Sequence, residues 1–128
     1  MLSLIQQWFV FCGALLGFVG LAAGAFGAHI LQQRLAPESL TIFEVGVRYQ
    51  MYHALAILLT VLLMSVIPGY WPMMAGYFFI SGTIIFSGSL YILVFSGVKA
   101  WGAVTPIGGV LLLLGWISLT LMAFAQRS

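Results

Sequence analysis

LAILLTVLLM, residues 55–64, is an unbroken apolar run, and VLLLLG, residues 110–115, is a second. Neither alternates polar with apolar positions. Neither therefore reads as the wall of a membrane β-barrel, where lipid-facing and lumen-facing residues take turns. Extended in both directions, such runs reach about 20 residues, the length a helix needs to cross a bilayer core. Four segments of this kind are legible, at about 8–31, 43–67, 73–95 and 106–125. Amides in hydrocarbon must be paired within their own segment, so each is expected to be a helix. The expected fold class is an all-α membrane protein, a four-transmembrane-helix bundle with short loops, and residues 1–128 form one integral membrane domain.

Composition points the same way. The chain has 128 residues, 63% apolar and 5% charged, against roughly 25% charged in soluble domains. So few charges cannot clothe a water-facing surface, and the lipid bilayer is the expected surrounding. A formal charge of +2 without a Lys/Arg cluster gives nucleic acid nothing to bind. Cys12 is the only cysteine and lies within the first span, so it forms no internal disulfide. The N-terminal MLSLIQQ lacks the basic residues of a signal peptide, and AAGA is the nearest cleavage-like run. The first span is therefore expected to stay uncleaved.

The connections are short. QQRLAPES joins spans one and two, PGYW two and three, and SGVKAWGAVT three and four. Pro68 and Gly69 act as breakers. Thr105 followed by Pro106 reads as an N-cap and first helical residue. Tyr70, Trp71, Trp101 and Trp8 fall at span ends, where amphipathic rings sit at headgroup level. The first and third loops share one side of the membrane with Arg34, Arg48 and Lys99, while the other side holds Arg127. The positive-inside rule then puts both termini outside the cytoplasm.

Gly13, Gly17, Gly20, Gly24 and Gly27 are spaced four, three, four and three apart. That is a heptad seam of glycine. Lipid supplies no hydrophobic drive for helix association, so close backbone approach must supply it. Glycine costs up to ~1 kcal/mol per helical position in water, and five in register imply a tight helix–helix contact. The seam's partner is open: another helix of the chain, a second copy, or another membrane protein. Ser81, Ser87, Gly88 and Ser89 mark a small-residue face in the third span, and Gly108 and Gly115 sit seven apart in the fourth.

The scarce polar groups concentrate in TIFEVGVRYQMYH, residues 41–53. Thr41 and Glu44 match a capping box. Glu44 and Arg48 are four apart, in the favourable order for a helical ion pair. If the first two spans form a hairpin turning near Ala36 and Pro37, His29 faces about residue 45. His29 is then expected to join Glu44 and Arg48 in a polar cluster at the interface; the alternative is a histidine snorkelling to headgroups. His53 lies about 13 Å deeper than Glu44 and on the other side of its helix. An intramembrane histidine is a functional candidate, and Ser87 or Ser89 is its expected hydrogen-bond partner in a structural reading. Bis-histidine haem ligation is excluded by the depth difference of about 12 Å between His29 and His53. A metal site lacks further carboxylate or thiolate ligands, and no nucleophile–base pair or nucleotide fingerprint occurs. No cofactor, metal or enzymatic step is expected.

GAFGAH at 24–29, VRYQMYHALAILL at 47–59, FSGSLY at 86–91 and TPIGG at 105–109 together resemble the family catalogued as domain of unknown function 423. His29, Tyr49, Gln50, His53, Ser87, Ser89 and Tyr91 match its pattern. The resemblance implies a four-helix protein of the bacterial plasma (inner) membrane and brings no established activity. Two functional readings follow. The first is a structural or accessory bundle engaging lipid or a membrane partner. The second is a small oligomeric transporter or channel using His53 and the His29/Glu44/Arg48 cluster.

Overall fold

The computed structural model describes residues 1–125. Arg127, which carries the positive charge of the terminal side, lies outside the described residues. Helix α1 runs Leu4–Leu31, α2 Pro37–Val66, α3 Trp71–Ser96 and α4 Thr105–Ala125. All four are long and apolar enough to cross a membrane.

Two starts differ from the sequence expectation, each for a local reason. Helix α1 begins at Leu4 because Ser3 and Gln6 form a reciprocal capping box. Helix α2 begins at Pro37, whose fixed φ suits the first helical position. Thr41 therefore sits inside the helix, and its hydroxyl donates back to the Pro37 carbonyl at 3.0 Å. The expected Thr41–Glu44 capping box does not form. Thr105 likewise opens α4 without capping it. Its hydroxyl lies 2.6 Å from Ser89 Oγ and 3.5 Å from the Trp101 carbonyl. Tyr70 and Trp71 stack with ring centroids 5.5 Å apart at the start of α3.

Helix α1 lies antiparallel on α2, and the glycine seam faces it. Gln6 ties the outer end by donating to the Val61 carbonyl at 3.2 Å and to Ser65 Oγ at 2.8 Å. Along the seam Gly13 faces Ala54 and Leu58, Gly17 faces Ala54, and Gly20 faces Gln50 and Met51. Gly24 then faces Val47, and Gly27 faces Phe43. The seam's neighbour is thus a helix of the same chain. Between Ala23 and Gly27 the helix makes a π turn. That turn adds a residue to the winding and re-aims everything after it.

Helix α3 packs on α2 and grazes α1, where Phe9 covers Gly76 and meets the Tyr77 ring edge-on at 5.0 Å. The core cluster is Phe9, Ala56, Ile57, Val61, Ala75, Phe79 and Leu112. Helix α4 packs on α3 through Gly82 against Leu112, Gly108 against the Phe86 backbone, and Gly115 against the Phe79 ring. Among the described residues no Cα of α4 comes within 8 Å of one in α1 or α2. The helices thus follow one another as neighbours, and a wedge stays open between α2 and α4.

Gly88 does not belong to a packed face, because nothing among the described residues lies within 4 Å of a Cβ placed there. Ser81 spends its hydroxyl on the Tyr77 carbonyl of its own helix at 2.8 Å. The expected small-residue face of the third span is therefore split. Thr83 stands apart. Its side chain is 1% exposed, and its hydroxyl has no hydrogen-bond partner among the described residues. Replacing it by valine keeps the shape and removes a buried group whose desolvation costs about 1–3 kcal/mol. Thr83→Val is expected to raise the thermal unfolding midpoint of the purified protein in detergent; a lowered midpoint would show that the hydroxyl is engaged.

Candidate intramembrane site

Depth follows from length. Helix α2 has 30 residues, about 45 Å at 1.5 Å each, against a hydrocarbon core of about 30 Å. Its far end, Val66, comes four residues before the Tyr70–Trp71 pair, whose amphipathic rings suit the headgroup level. About 20 residues back from Val66, the hydrocarbon edge falls near Val47. Glu44 lies outside that edge, and His53 about 9 Å inside it.

His53 is buried, at 5% exposure. Its Nε2 accepts from Trp116 Nε1–H at 3.0 Å. An indole N–H only donates, so the proton of the neutral ring sits on Nδ1, which donates to the Tyr49 carbonyl at 2.7 Å. Both ring nitrogens are thereby used. The Tyr49 ring stacks on the imidazole at 6.4 Å, and Phe79 lies tilted 5.6 Å away. The expected bond to Ser87 or Ser89 does not form, because helix register places those serines nearer the headgroups. Ser87 donates to the Gly46 carbonyl at 2.7 Å, and Ser89 bonds Phe86 and Thr105. Two residues apart on a helix, the serines serve opposite neighbours, α2 and α4.

Gln50 and Tyr91 form a second junction. Gln50 Nε2 donates to the Leu16 carbonyl at 2.8 Å, and Tyr91 Oη donates to Gln50 Oε1 at 2.7 Å. One amide thus joins α1, α2 and α3. Sequence reasoning selected both residues without pairing them.

The wedge between α2 and α4 is a cleft of about 620 Å³. Val45, Tyr49 and His53 form one wall, Gly109, Val110, Leu113 and Trp116 the other, and Phe86 the floor. Its volume is within the range of about 300–1,000 Å³ found for small-molecule sites. Val110 and Leu113 are exposed at its rim, at the depth of acyl chains.

The expected polar cluster is not assembled. His29, Glu44 and Arg48 are all exposed, and among the described residues no hydrogen bond or ion pair joins any two of them. Glu44 and Arg48 line one groove with Gly24 and Ala28, and His29 does not line it. Two effects displace the histidine. Gly27 opposes Phe43, so His29 lies level with about Thr41 rather than residue 45. The π turn at Ala23–Gly27 also rotates it off the seam. Trp116, Gln6 and Thr105 are the participants that sequence reasoning missed. Trp116 left a signal: an indole N–H in mid-span needs an acceptor, unlike one at the headgroups.

Four apolar crossing helices whose interior polar side chains bond backbone carbonyls and, at a few points, one another define a four-span integral membrane protein with a lipid-facing cleft. The chain belongs to the family described as "Protein of unknown function (DUF423)", whose model matches residues 23–109. It is 44% identical over 122 residues to a UPF0382 membrane protein of Staphylococcus aureus, covering 93% of this chain and 97% of that one. It is 36% identical over 116 residues to the UPF0382 membrane protein YwdK of Bacillus subtilis, covering 90% and 94%. The UPF0382 inner membrane protein YgdD of Escherichia coli K12 is 38% identical over 111 residues, covering 87% of this chain and 85% of that protein. No solved structure is significantly similar to the chain. The protein is an integral protein of the bacterial plasma membrane.

Proposed function

We propose that the protein is an accessory or structural membrane bundle that engages lipid or an apolar partner segment through the cleft between α2 and α4. One observation carries this reading. The cleft opens laterally at acyl-chain depth, and the ring nitrogens on its walls are already used in the bonds from Trp116 to His53 and from His53 to the Tyr49 carbonyl. What enters gains from burying apolar surface and is offered few unpaired polar groups. On this reading the protein performs no catalytic step.

A photo-crosslinking residue at Leu113, on the rim of the cleft, tests it against one at Ile117, which is exposed but does not line the cleft. In native membranes Leu113 is expected to give a discrete lipid or membrane-protein adduct that Ile117 does not. Gly109→Leu should abolish it, since that position has room for a side chain directed at Phe86. Equal labelling from both positions would overturn the reading. So would proton flux into proteoliposomes that stops on His53→Ala, which is the result a transporter requires.

A further inference from the structure

A second groove lies on the side of α2 opposite the His53 cleft, between α2 and α1. It measures about 320 Å³ and is lined by Gly24 and Ala28 of α1 and by Phe43, Glu44, Val47 and Arg48 of α2. Glu44 and Arg48 stand at the spacing where a helical ion pair forms. Both are exposed, yet neither is ion-paired among the described residues. Charges held apart at the edge of hydrocarbon are costly, so a ligand that answers both has something to gain.

Their order along the helix matters. The hydrocarbon edge falls near Val47, so Glu44 sits on the watery side and Arg48 just inside. The two are about 6 Å apart along the axis. A zwitterionic phospholipid carries its charges in the complementary order along the membrane normal: phosphate next to the glycerol, amine further out. Side chains on a helix lean toward its N-terminus, here the watery end, so the Arg48 guanidinium reaches outward to the phosphate and the Glu44 carboxylate to the amine beyond it. A guanidinium presents a donor fork that fits phosphate, and a carboxylate accepts N–H from a primary ammonium. Gly24 and Ala28 keep the adjoining wall low, with no side chain larger than a methyl.

We propose that this groove binds the headgroup of phosphatidylethanolamine, with Arg48 on the phosphate and Glu44 on the ammonium. Choline has no N–H to offer Glu44. A glycerol headgroup has no cation to offer it. The order of charges counts from the membrane surface, so the fit is the same in either leaflet. The His53 cleft plays no part, so the two sites succeed or fail separately.

The test uses the full-length protein, purified and delipidated in detergent, and native mass spectrometry with phosphatidylethanolamine, phosphatidylcholine and phosphatidylglycerol of matched chains. Phosphatidylethanolamine is expected to be retained about tenfold over each of the others, the size of one charge-assisted hydrogen bond. Glu44→Gln should erase the discrimination between ethanolamine and choline, and Arg48→Gln should weaken retention of all three. The double exchange Glu44→Arg with Arg48→Glu keeps both charges in reversed order and should lose the ethanolamine preference. Equal retention of the three lipids would overturn the proposal. So would a preference for phosphatidylglycerol, or an ethanolamine preference that survives Glu44→Gln or the exchange. Both side chains are exposed, so the variants should keep the wild-type melting midpoint. If one does not, the wild-type lipid ratios alone decide.

Discussion

Gly108→Val is expected to part α4 from α3, while the same change at Gly109 leaves the bundle intact. A Cβ at Gly108 would run into the backbone nitrogen and Cα of Phe86, which cannot swing aside as a flexible side chain does. A Cβ at Gly109 would meet the Phe86 ring at 3.8 Å, an ordinary contact. Overpacking typically costs about 1–3 kcal/mol and more where the neighbour cannot yield. Helix α4 is held closely by α3 alone, through this contact and those at Gly82 and Gly115, because it makes no close backbone approach to α1 or α2 among the described residues. Loss of the Gly108 contact also draws Trp116 away from His53 and widens the cleft. The measurement is equilibrium unfolding in mixed micelles, with Trp fluorescence following the α4 environment. Gly108→Val should lower stability by at least about 2 kcal/mol, and Gly109→Val should change it by less than half as much. Equal effects would mean that helix propensity, and not the close approach to Phe86, governs both positions.

Much of this architecture was legible in the sequence, and the reasons show where legibility stops. Apolar runs such as LAILLTVLLM specify crossing helices because hydrocarbon tolerates little else. The seam from Gly13 to Gly27 announced a close approach because its period matches a helix face. Register was less legible. It depends on the π turn at Ala23–Gly27 and on the early start of α2 at Pro37, and no periodicity records either. A shift of about one helical turn was enough to leave His29 outside the groove of Glu44 and Arg48. The partner of His53 was hidden for a different reason. Trp116 is 63 residues away and sits in LLLLGWISL, where it reads as bulk. The Ser3–Gln6 capping box, by contrast, was written in SLIQ and needed only to be read.

Gln50→Leu is expected to weaken the joint of three helices although it preserves volume. The amide reaches two neighbours because two glycines clear its way. Gly20 leaves space on one side, where a Cβ would come within 3.2 Å of Gln50 Nε2. Gly46 lets the Tyr91 ring lie close on the other, where a Cβ would come within 2.8 Å of Tyr91 Cε1. With leucine, Tyr91 loses its acceptor and α1 loses its tie through the Leu16 carbonyl. That carbonyl can still accept from its own helix, so the larger penalty lies with the Tyr91 hydroxyl. The expected loss is about 1–3 kcal/mol. Tyr91→Phe should cost less, because Gln50 then keeps its bond to Leu16. A double-mutant cycle isolates the pair, and interhelical hydrogen bonds in a bilayer couple by about 0.6 kcal/mol on average and up to about 1.7. A coupling energy near zero between Gln50→Leu and Tyr91→Phe would show that the bond contributes nothing to stability. A value in the upper half of that range would mark Gln50 as the residue through which α1, α2 and α3 hold their register.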